Sequence, residues 1–190
     1  MAQPAPHLLT ATEYLAIERS SATKHEYFQG QLVAMAGASL EHNVIVGNIV
    51  AELRAALRDR PCVALPSDMK VLVQASGHYY YPDATVVCGA PQFADDVRDA
   101  IVNPTVVVEV LSDSTERRDR GDKFQDYRSI PSCTDYLMCD STEPLIEHYA
   151  RDADGSWRLR EYGPADVVPL RGVEVRLSVA EVYAKAFGGR

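Results

Sequence analysis

Two carboxylates and one ammonium group stand in the sequence where they could act together on a phosphate. Asp83 follows Pro82 in the middle of one predicted strand, and Glu109 interrupts the valine run of the next, PTVVVEVLS. A buried charge is costly unless something nearby pairs with it. Glu109 is therefore predicted to face a cation, which is either a metal ion or, as the structural alternative, an arginine side chain.

Asp83 and Glu109 together predict a site for a divalent cation. Neighbouring strands of a sheet lie about 4.8 Å apart, so two carboxylates on adjacent strands and on the same face can share one ion. Oxygen ligands of this kind suit Mg²⁺ or Mn²⁺. Such an ion orients and activates water while it neutralises charge on a phosphate, which is the chemistry of phosphodiester hydrolysis.

Lys123 is the candidate cationic side chain. It recurs with Tyr127 and Ile130 on one face of the second long predicted helix. Because Tyr127 and Ile130 favour the interior, the lysine is expected to reach inward near the strand ends, where its ammonium could position the attacking water or stabilise the pentavalent phosphate. The surrounding run, ERRDRGDK, is also typical of a solvated helix face, so a surface lysine is the alternative.

Other candidates lie earlier in the chain. His42 falls on the apolar stripe of its helix, so it should point toward the sheet as a metal ligand or proton shuttle, or as a satisfied core histidine. Glu41, beside it, could serve in its place. Glu26 and Asp68 carry lower weight. Asp68 has the D-x-K spacing with Lys70, but this pair precedes the Pro-Asp strand and is therefore out of order.

Hydrophobic periodicity and turn residues place these candidates on helices and strands. The predicted elements, in order, are a helix over 10–20, a hairpin turning at Gln29-Gly30, a helix over 39–58, strands over 62–73, 76–89 and 105–112, a helix over 119–129, a strand over 134–140, a hairpin around Asp154-Gly155, a strand near 173–177 and a helix from Ser178. The fold class is α/β of the α+β type, with helix, three strands, helix and strand around one central mixed sheet and extra N- and C-terminal β-hairpins.

Composition limits the class of protein. The 190 residues are 46% hydrophobic and 24% charged, which fits a single domain over 1–190. The net charge of −8 argues against a broad nucleic-acid surface, so any DNA-binding face must be local. The sequence contains no G-x-S-x-G elbow, no phosphate-cradling glycine loop and no metalloprotease helix, which removes the common hydrolase and nucleotide-binding classes.

The cysteines and the N-terminal residues predict a cytoplasmic location. The four cysteines, Cys62, Cys88, Cys133 and Cys139, show no C-x-x-C spacing, so buried thiols are expected, with neither a disulfide nor a structural zinc. The first fifteen residues lack the basic and apolar segments of a secretory signal. No apolar run approaches the length of a membrane span.

The motifs in combination resemble a known group of nucleases. Pro82-Asp83 followed by Glu109-Val110-Leu111 on the next strand resembles the PD-(D/E)XK nuclease superfamily. More narrowly, four stretches look like the Uma-type putative restriction endonuclease family, which is widespread in bacteria, especially cyanobacteria. These stretches are TATEYLAIERSSATKHEYFQGQLVAMAGASLEHN, YYYPDATVVCG, NPTVVVEVLSDSTERRDRGDKFQDYRSIPSCTDYLMCD and YGPADVVPL. The resemblance covers about residues 8–185.

The resemblance implies a restriction-endonuclease-like core and a Mg²⁺- or Mn²⁺-dependent endonuclease acting on DNA. Asp83 and Glu109 would hold the ion, Lys123 would orient water or stabilise the transition state, and His42 would assist. The sequence departs from the superfamily at Leu111, where a lysine is expected, and the family resemblance suggests that the lysine has moved to position 123. The alternatives are a catalytically inactive nuclease fold that binds DNA or a protein partner, and a homodimer for double-strand cutting.

Overall fold

The computed structural model describes residues 8–35, 37–112 and 115–188. The strands are β1 (His25–Phe28), β2 (Gln31–Ala34), β3 (Cys62–Pro66), β4 (Lys70–Val73), β5 (His78–Tyr80), β6 (Ala84–Cys88), β7 (Ala100–Ile101), β8 (Val106–Val110), β9 (Asp135–Cys139), β10 (Ile146–Arg151), β11 (Trp157–Tyr162), β12 (Val167–Leu170) and β13 (Val175–Ser178). The helices are α1 (Ala11–Glu18), α2 (Leu40–Ala56), α3 (Glu116–Arg118, continued by a π-helical turn over Asp119–Lys123 and by Phe124–Tyr127) and α4 (Val179–Val182).

Two sheets organise the chain. The larger has the order β11-β10-β9-β8-β6-β3 and is mixed, because β8 and β9 run parallel while the other neighbours are antiparallel. The second has the order β2-β1-β5-β4-β7, and β12 pairs with β13. The mixed α+β fold class is confirmed. The six-stranded sheet is the central mixed sheet. The five-stranded sheet lies beside it because the chain crosses between the two sheets at two places that the sequence pattern presented as continuous strands.

Both crossings have local causes. Pro66 ends β3, a turn at Ser67-Asp68 follows, and β4 then begins in the other sheet, so the strand predicted over 62–73 is broken. The strand predicted over 76–89 is likewise broken between β5 and β6. Pro82 lacks the N–H that a central ladder needs. Asp83 therefore lies in a bend before β6 and not in the middle of a strand.

β8 lies at the centre of the larger sheet and is buried on both faces, as its apolar run predicted. Val106, Val108 and Val110 pack on the side of α2. That helix begins after Ser39, whose side chain accepts the N–H of His42, and it buries Ile45, Ile49 and Leu53. On the other face, Val107 and Leu111 join a second core with residues of α3 and β9. Glu109 alternates with the α2-facing valines, so it belongs to this second face.

The helix predicted over 119–129 starts earlier and is irregular. α3 begins at Glu116 and ends at Tyr127. Its π-helical turn widens the helix at Asp119–Lys123 and leaves both of those side chains buried. Single π turns of this kind are rare and occur mostly at functional sites. Periodicity in the sequence cannot indicate such a turn, because the extra residue shifts the helical phase.

Other predicted elements are confirmed. Thr10 and Glu13 form a capping box at the start of α1. Gln29-Gly30 turns the first hairpin with positive φ angles of 49° and 79°. The strand over 134–140, the hairpin at Asp154-Gly155 and the helix capped by Ser178 are present. No helix within the described ranges is long and apolar enough to cross a membrane.

The expectation of unbonded thiols is wrong for one pair of cysteines. Cys62 and Cys88 face each other across β3 and β6 and form a disulfide, with Cα atoms 4.0 Å apart. Spacing along the chain could not show this pairing, because it depends on strand register. Cys133 and Cys139 are free and buried. Burial raises the pKa of the Cys133 thiol to about 12, so it is unreactive near neutral pH.

We predict that thiol titration will follow this division. In native protein purified without reductant, an aromatic disulfide reagent should react only slowly, because both free thiols are buried. Denatured but unreduced protein should show two thiols per chain, and reduced protein four. Four thiols without reduction would contradict the disulfide.

Candidate active site

Glu109 and Lys123 meet in a buried cluster between β8 and α3. Their side chains are 4% and 6% exposed, and Lys123 Nζ lies 3.0 Å from Glu109 Oε1. The same ammonium lies 3.0 Å from Glu26 Oε1 and 3.0 Å from Asp119 Oδ1. Three carboxylates from β1, β8 and α3 therefore surround one cation. The Asp119 contact is purely ionic, since Oδ1 has no hydrogen bond in the described part of the chain.

Lys123 approaches Glu109 from the helix and not from the strand. Leu111, at the superfamily lysine position, packs in the second core and is 5% exposed. Asp119 and Lys123 stand at the two ends of the π-helical turn and are both buried. Tyr127, one turn further along, donates from its hydroxyl to Glu109 Oε1 at 2.9 Å. The geometry therefore gives Glu109 a cation and a hydroxyl donor, both from α3.

Glu26, given little weight from the sequence, lies at the centre of the cluster. Besides Lys123, it accepts the backbone N–H of Tyr81 at 3.3 Å and pairs with Arg118 at 3.2 Å. Alternation along β1 could not single out Glu26, because Tyr27 on the opposite strand face is buried as well. Asp119, Arg118 and the Tyr127 hydroxyl were not identified as site groups from the sequence.

Asp83 joins the cluster through the backbone next to Glu109. Its Oδ2 accepts the N–H of Val110 at 2.7 Å. His42 Nε2 lies 3.4 Å from the same oxygen, so His42 points inward from α2, as its stripe predicted. The bend at Asp83 lets one carboxylate contact both β8 and the start of α2. Asp83, His42 and Glu109 are thus brought to one region of the molecule.

The remaining sequence candidates lie elsewhere. Glu41 is partly buried in the first turn of α2, where its own backbone N–H and Ser39 lower its pKa. Asp68 is 83% exposed at its side chain and pairs with Lys24.

Burial and neighbouring charges set the protonation of the cluster. Burial raises the pKa of Glu109 well above its ordinary value; Lys123 opposes this, while Asp119, Asp83 and Glu26 reinforce it. Burial lowers the pKa of Lys123, but its carboxylate neighbours outweigh burial and hold the pKa well above the ordinary value. The Lys123 side chain is therefore protonated at neutral pH.

His42 is shifted in the direction of its charged form. Burial lowers the pKa of its imidazole, but the hydrogen-bonding and charge interactions with Asp83 raise it by more. Within the described part of the chain, Nδ1 is buried without a hydrogen-bond partner. His42 can therefore carry a proton near neutral pH.

The donor set fits a hard divalent cation. Among the described residues, the hydrogen bonds to Glu109 end on Oε1 and those to Asp83 end on Oδ2. The other oxygen of each carboxylate accepts no hydrogen bond from these residues. Three carboxylates, those of Glu26, Glu109 and Asp119, surround the Lys123 ammonium, and Glu26 also pairs with Arg118. The Asp83 carboxylate acts on Glu109 through its charge.

A larger metal centre is not part of this arrangement. Over residues 8–35, 37–112 and 115–188, no group of three or more His, Cys, Asp or Glu side chains is arranged to hold a metal ion. Mg²⁺ is usually held by one or two carboxylates and completes its shell with water and substrate oxygens. Asp83 and Glu109 are two carboxylates, which is enough in number for an ion held in this way.

Comparisons with known proteins identify the fold and then the family. A crystal structure titled a putative nuclease belonging to DUF820, from Anabaena variabilis, matches 94% of this chain and 99% of its own, with a TM-score of 0.77 and 14% identity. The fold is therefore the one that this protein adopts. The family model Uma2, described as "Putative restriction endonuclease", matches residues 11–180, and the chain belongs to this family.

Two relatives from Synechocystis sp. support the assignment. The uncharacterized protein sll1609 is 38% identical over 154 residues, which cover 81% of this chain and 87% of the relative. The uncharacterized protein slr1290 is 36% identical over 180 residues, covering 92% and 91%. The likeness extends across nearly the whole of each protein.

We predict that Lys123→Met will destabilise the fold by about 3–5 kcal/mol at neutral pH, because it leaves buried carboxylates without their shared cation. Chemical denaturation measures the loss. Lys24→Met is the matched control: it removes a lysine whose partner, Asp68, is exposed, so the cost should stay within about 1 kcal/mol. In a double-mutant cycle, Glu109→Gln should reduce the cost of Lys123→Met. Equal costs for the two lysine variants would contradict the buried cluster.

Proposed function

We propose that this protein is a metal-dependent endonuclease that hydrolyses phosphodiester bonds in DNA at the cluster around Glu109. The observation that carries the proposal is the buried lysine from α3, 3.0 Å from Glu109, beside a second carboxylate fixed on the neighbouring backbone. Membership of the Uma2 family supports the same chemistry.

Asp83 and Glu109 are the residues that would hold Mg²⁺ or Mn²⁺. Both carboxylates are fixed in orientation, one by the Val110 N–H and the other by Lys123 and Tyr127. The bound ion would supply charge neutralisation at the phosphate and a lowered pKa for a coordinated water. Rigid carboxylates avoid an ordering cost when the substrate arrives.

Lys123 acts electrostatically in this proposal and not as a general base. Its raised pKa keeps the ammonium protonated at neutral pH, so it cannot accept a proton from water. A protonated ammonium can orient the attacking water through its N–H groups and stabilise the negative charge that develops on the phosphate. Glu26 and Asp119 hold the ammonium beside Glu109.

His42 would assist by handling a proton. The Asp83 carboxylate favours its charged form, and Nδ1 makes no hydrogen bond within the described part of the chain. An imidazole in this state can donate a proton to a leaving oxygen. His42 lies at the start of α2, on the Asp83 side of the cluster, whereas Lys123 lies on the α3 side.

A second candidate function is a nuclease fold that binds DNA or a protein partner without cutting. Two observations favour it. The net charge is −8, which opposes a polyanion, and Leu111 stands where the superfamily places its lysine. This alternative keeps the buried cluster as a purely structural feature.

We predict that Asp83→Asn and Glu109→Gln will each lower Mg²⁺-dependent cleavage of DNA by roughly 10²-fold or more, because each removes a ligand charge at the reacting phosphate. Cleavage of plasmid DNA with and without Mg²⁺ measures this, and circular dichroism checks that the variants fold. Asp68→Asn is the matched control, since that carboxylate is exposed and away from the cluster. If the two site variants cut as well as the parent, the assignment is wrong.

Calorimetric titration with Mn²⁺ separates the two functions before any substrate is known. A metal-dependent nuclease should bind Mn²⁺ in the parent and in Asp68→Asn, and the affinity should fall at least tenfold in Glu109→Gln, because charged oxygen ligands dominate binding of hard cations. Binding that is absent, or unchanged in Glu109→Gln, would favour the non-catalytic alternative.

A further inference from the structure

An open groove of about 680 Å³ lies between the C-terminal end of α3 and the β10–β11 hairpin. Phe124, Arg128, Tyr149, Trp157 and Leu159 line it, and we call it the aromatic groove. Its volume lies within the range of about 300–1,000 Å³ typical of ligand sites. It is separate from the cluster, although Phe124 directly follows Lys123 in the chain.

The aromatic rings of the groove are held in fixed positions. Phe124 lies 4.1 Å from Tyr149 and 5.8 Å from Trp157 between ring centroids, and it meets the indole edge to face. The guanidinium of Arg151 stands 4.8 Å over the indole and is anchored on the carbonyl oxygens of residues 128, 130 and 131. All three rings remain partly exposed. Half-exposed rings that are already ordered bind a flat ligand at low entropic cost.

The charged side chain that lines the groove is cationic, in a protein of negative net charge. Arg128 lines it, and no Asp or Glu among the described residues does, in a chain of net charge −8. The other polar groups of its lining are neutral: Gln125, Ser129 and Ser156. Aromatic faces with an arginine and without carboxylates favour planar bases on a phosphate backbone, since bases stack on rings and arginine attracts phosphate.

We propose that the aromatic groove binds the bases of single-stranded nucleic acid by stacking. The choice of nucleic acid as the ligand class rests on the proposed function, whereas the groove and its chemistry do not. Duplex DNA buries the faces of its bases, so a stacking groove selects strands that are single or locally opened. In a nuclease, this groove would hold unpaired bases next to the helix that carries Lys123.

Trp157 reports directly on this proposal, because it is the chain's single tryptophan. The experiment uses the Glu109→Gln variant in EDTA, so that the strand is not cut, and a short oligothymidylate as the probe. Stacking should quench the fluorescence of Trp157 in a saturable manner. An abasic strand of equal length should quench weakly, and so should a duplex. Equal quenching by the abasic strand would overturn stacking in favour of phosphate contacts alone.

Substitutions at Trp157 separate stacking from simple apolar contact. By fluorescence anisotropy of a labelled oligothymidylate, Trp157→Leu should bind about fivefold or more weakly, while Trp157→Phe, which keeps a ring, should retain most of the affinity. Val63→Ala changes an exposed side chain on β3, the opposite edge of the sheet, and should bind as the parent does. Unchanged binding in Trp157→Leu would overturn the proposal.

The two proposals fail in distinguishable ways. Binding of oligothymidylate at Trp157 by a parent protein that never cuts DNA would reject the nuclease function and keep the groove. Cleavage that depends on Glu109, without any fluorescence change at Trp157, would keep the nuclease and reject the groove. Thermal unfolding of each variant checks that the fold is retained.

Discussion

The burial of one ammonium group among three carboxylates is the interaction on which the rest of the site depends. Lys123 could not be buried alone, because the loss of hydration would cost several kcal/mol. Its partners come from β1, β8 and α3, so the ion cluster ties the smaller sheet to the larger one through the helix. Asp119 and Lys123, at the two ends of the π-helical turn, are buried together in this cluster.

The cluster holds more carboxylates than cationic side chains, and this excess of negative charge affects the ionisation of Glu109. Burial and the carboxylates around it raise the pKa of Glu109, which means that the folded protein opposes its ionisation. A divalent cation would remove that opposition, because its charge favours the ionised carboxylate. The same carboxylates keep Lys123 protonated. An acidic site of this kind also contributes to the negative charge of the protein.

Much of the fold could be predicted from the sequence, because short-range rules govern it. The capping box at Thr10, the turn at Gln29-Gly30 and the apolar stripe of α2 each depend on a few neighbouring residues. The errors concern places where the chain leaves one sheet for another. Alternation of side chains continues across a bend such as that at Asp83, so the pattern alone looks like one long strand.

The candidate site divides in the same way. The sequence by itself determined that Glu109 is a buried charge needing a cation, that Lys123 shares a helix face with Tyr127, and that His42 points inward, since each follows from periodicity within one element. Only the tertiary structure decided that Glu26 joins Lys123, that Asp83 binds the Val110 N–H, and that Cys62 pairs with Cys88. The physical reason is that these contacts join different elements. Their distances are set by sheet pairing and helix packing, about which local sequence patterns carry little information.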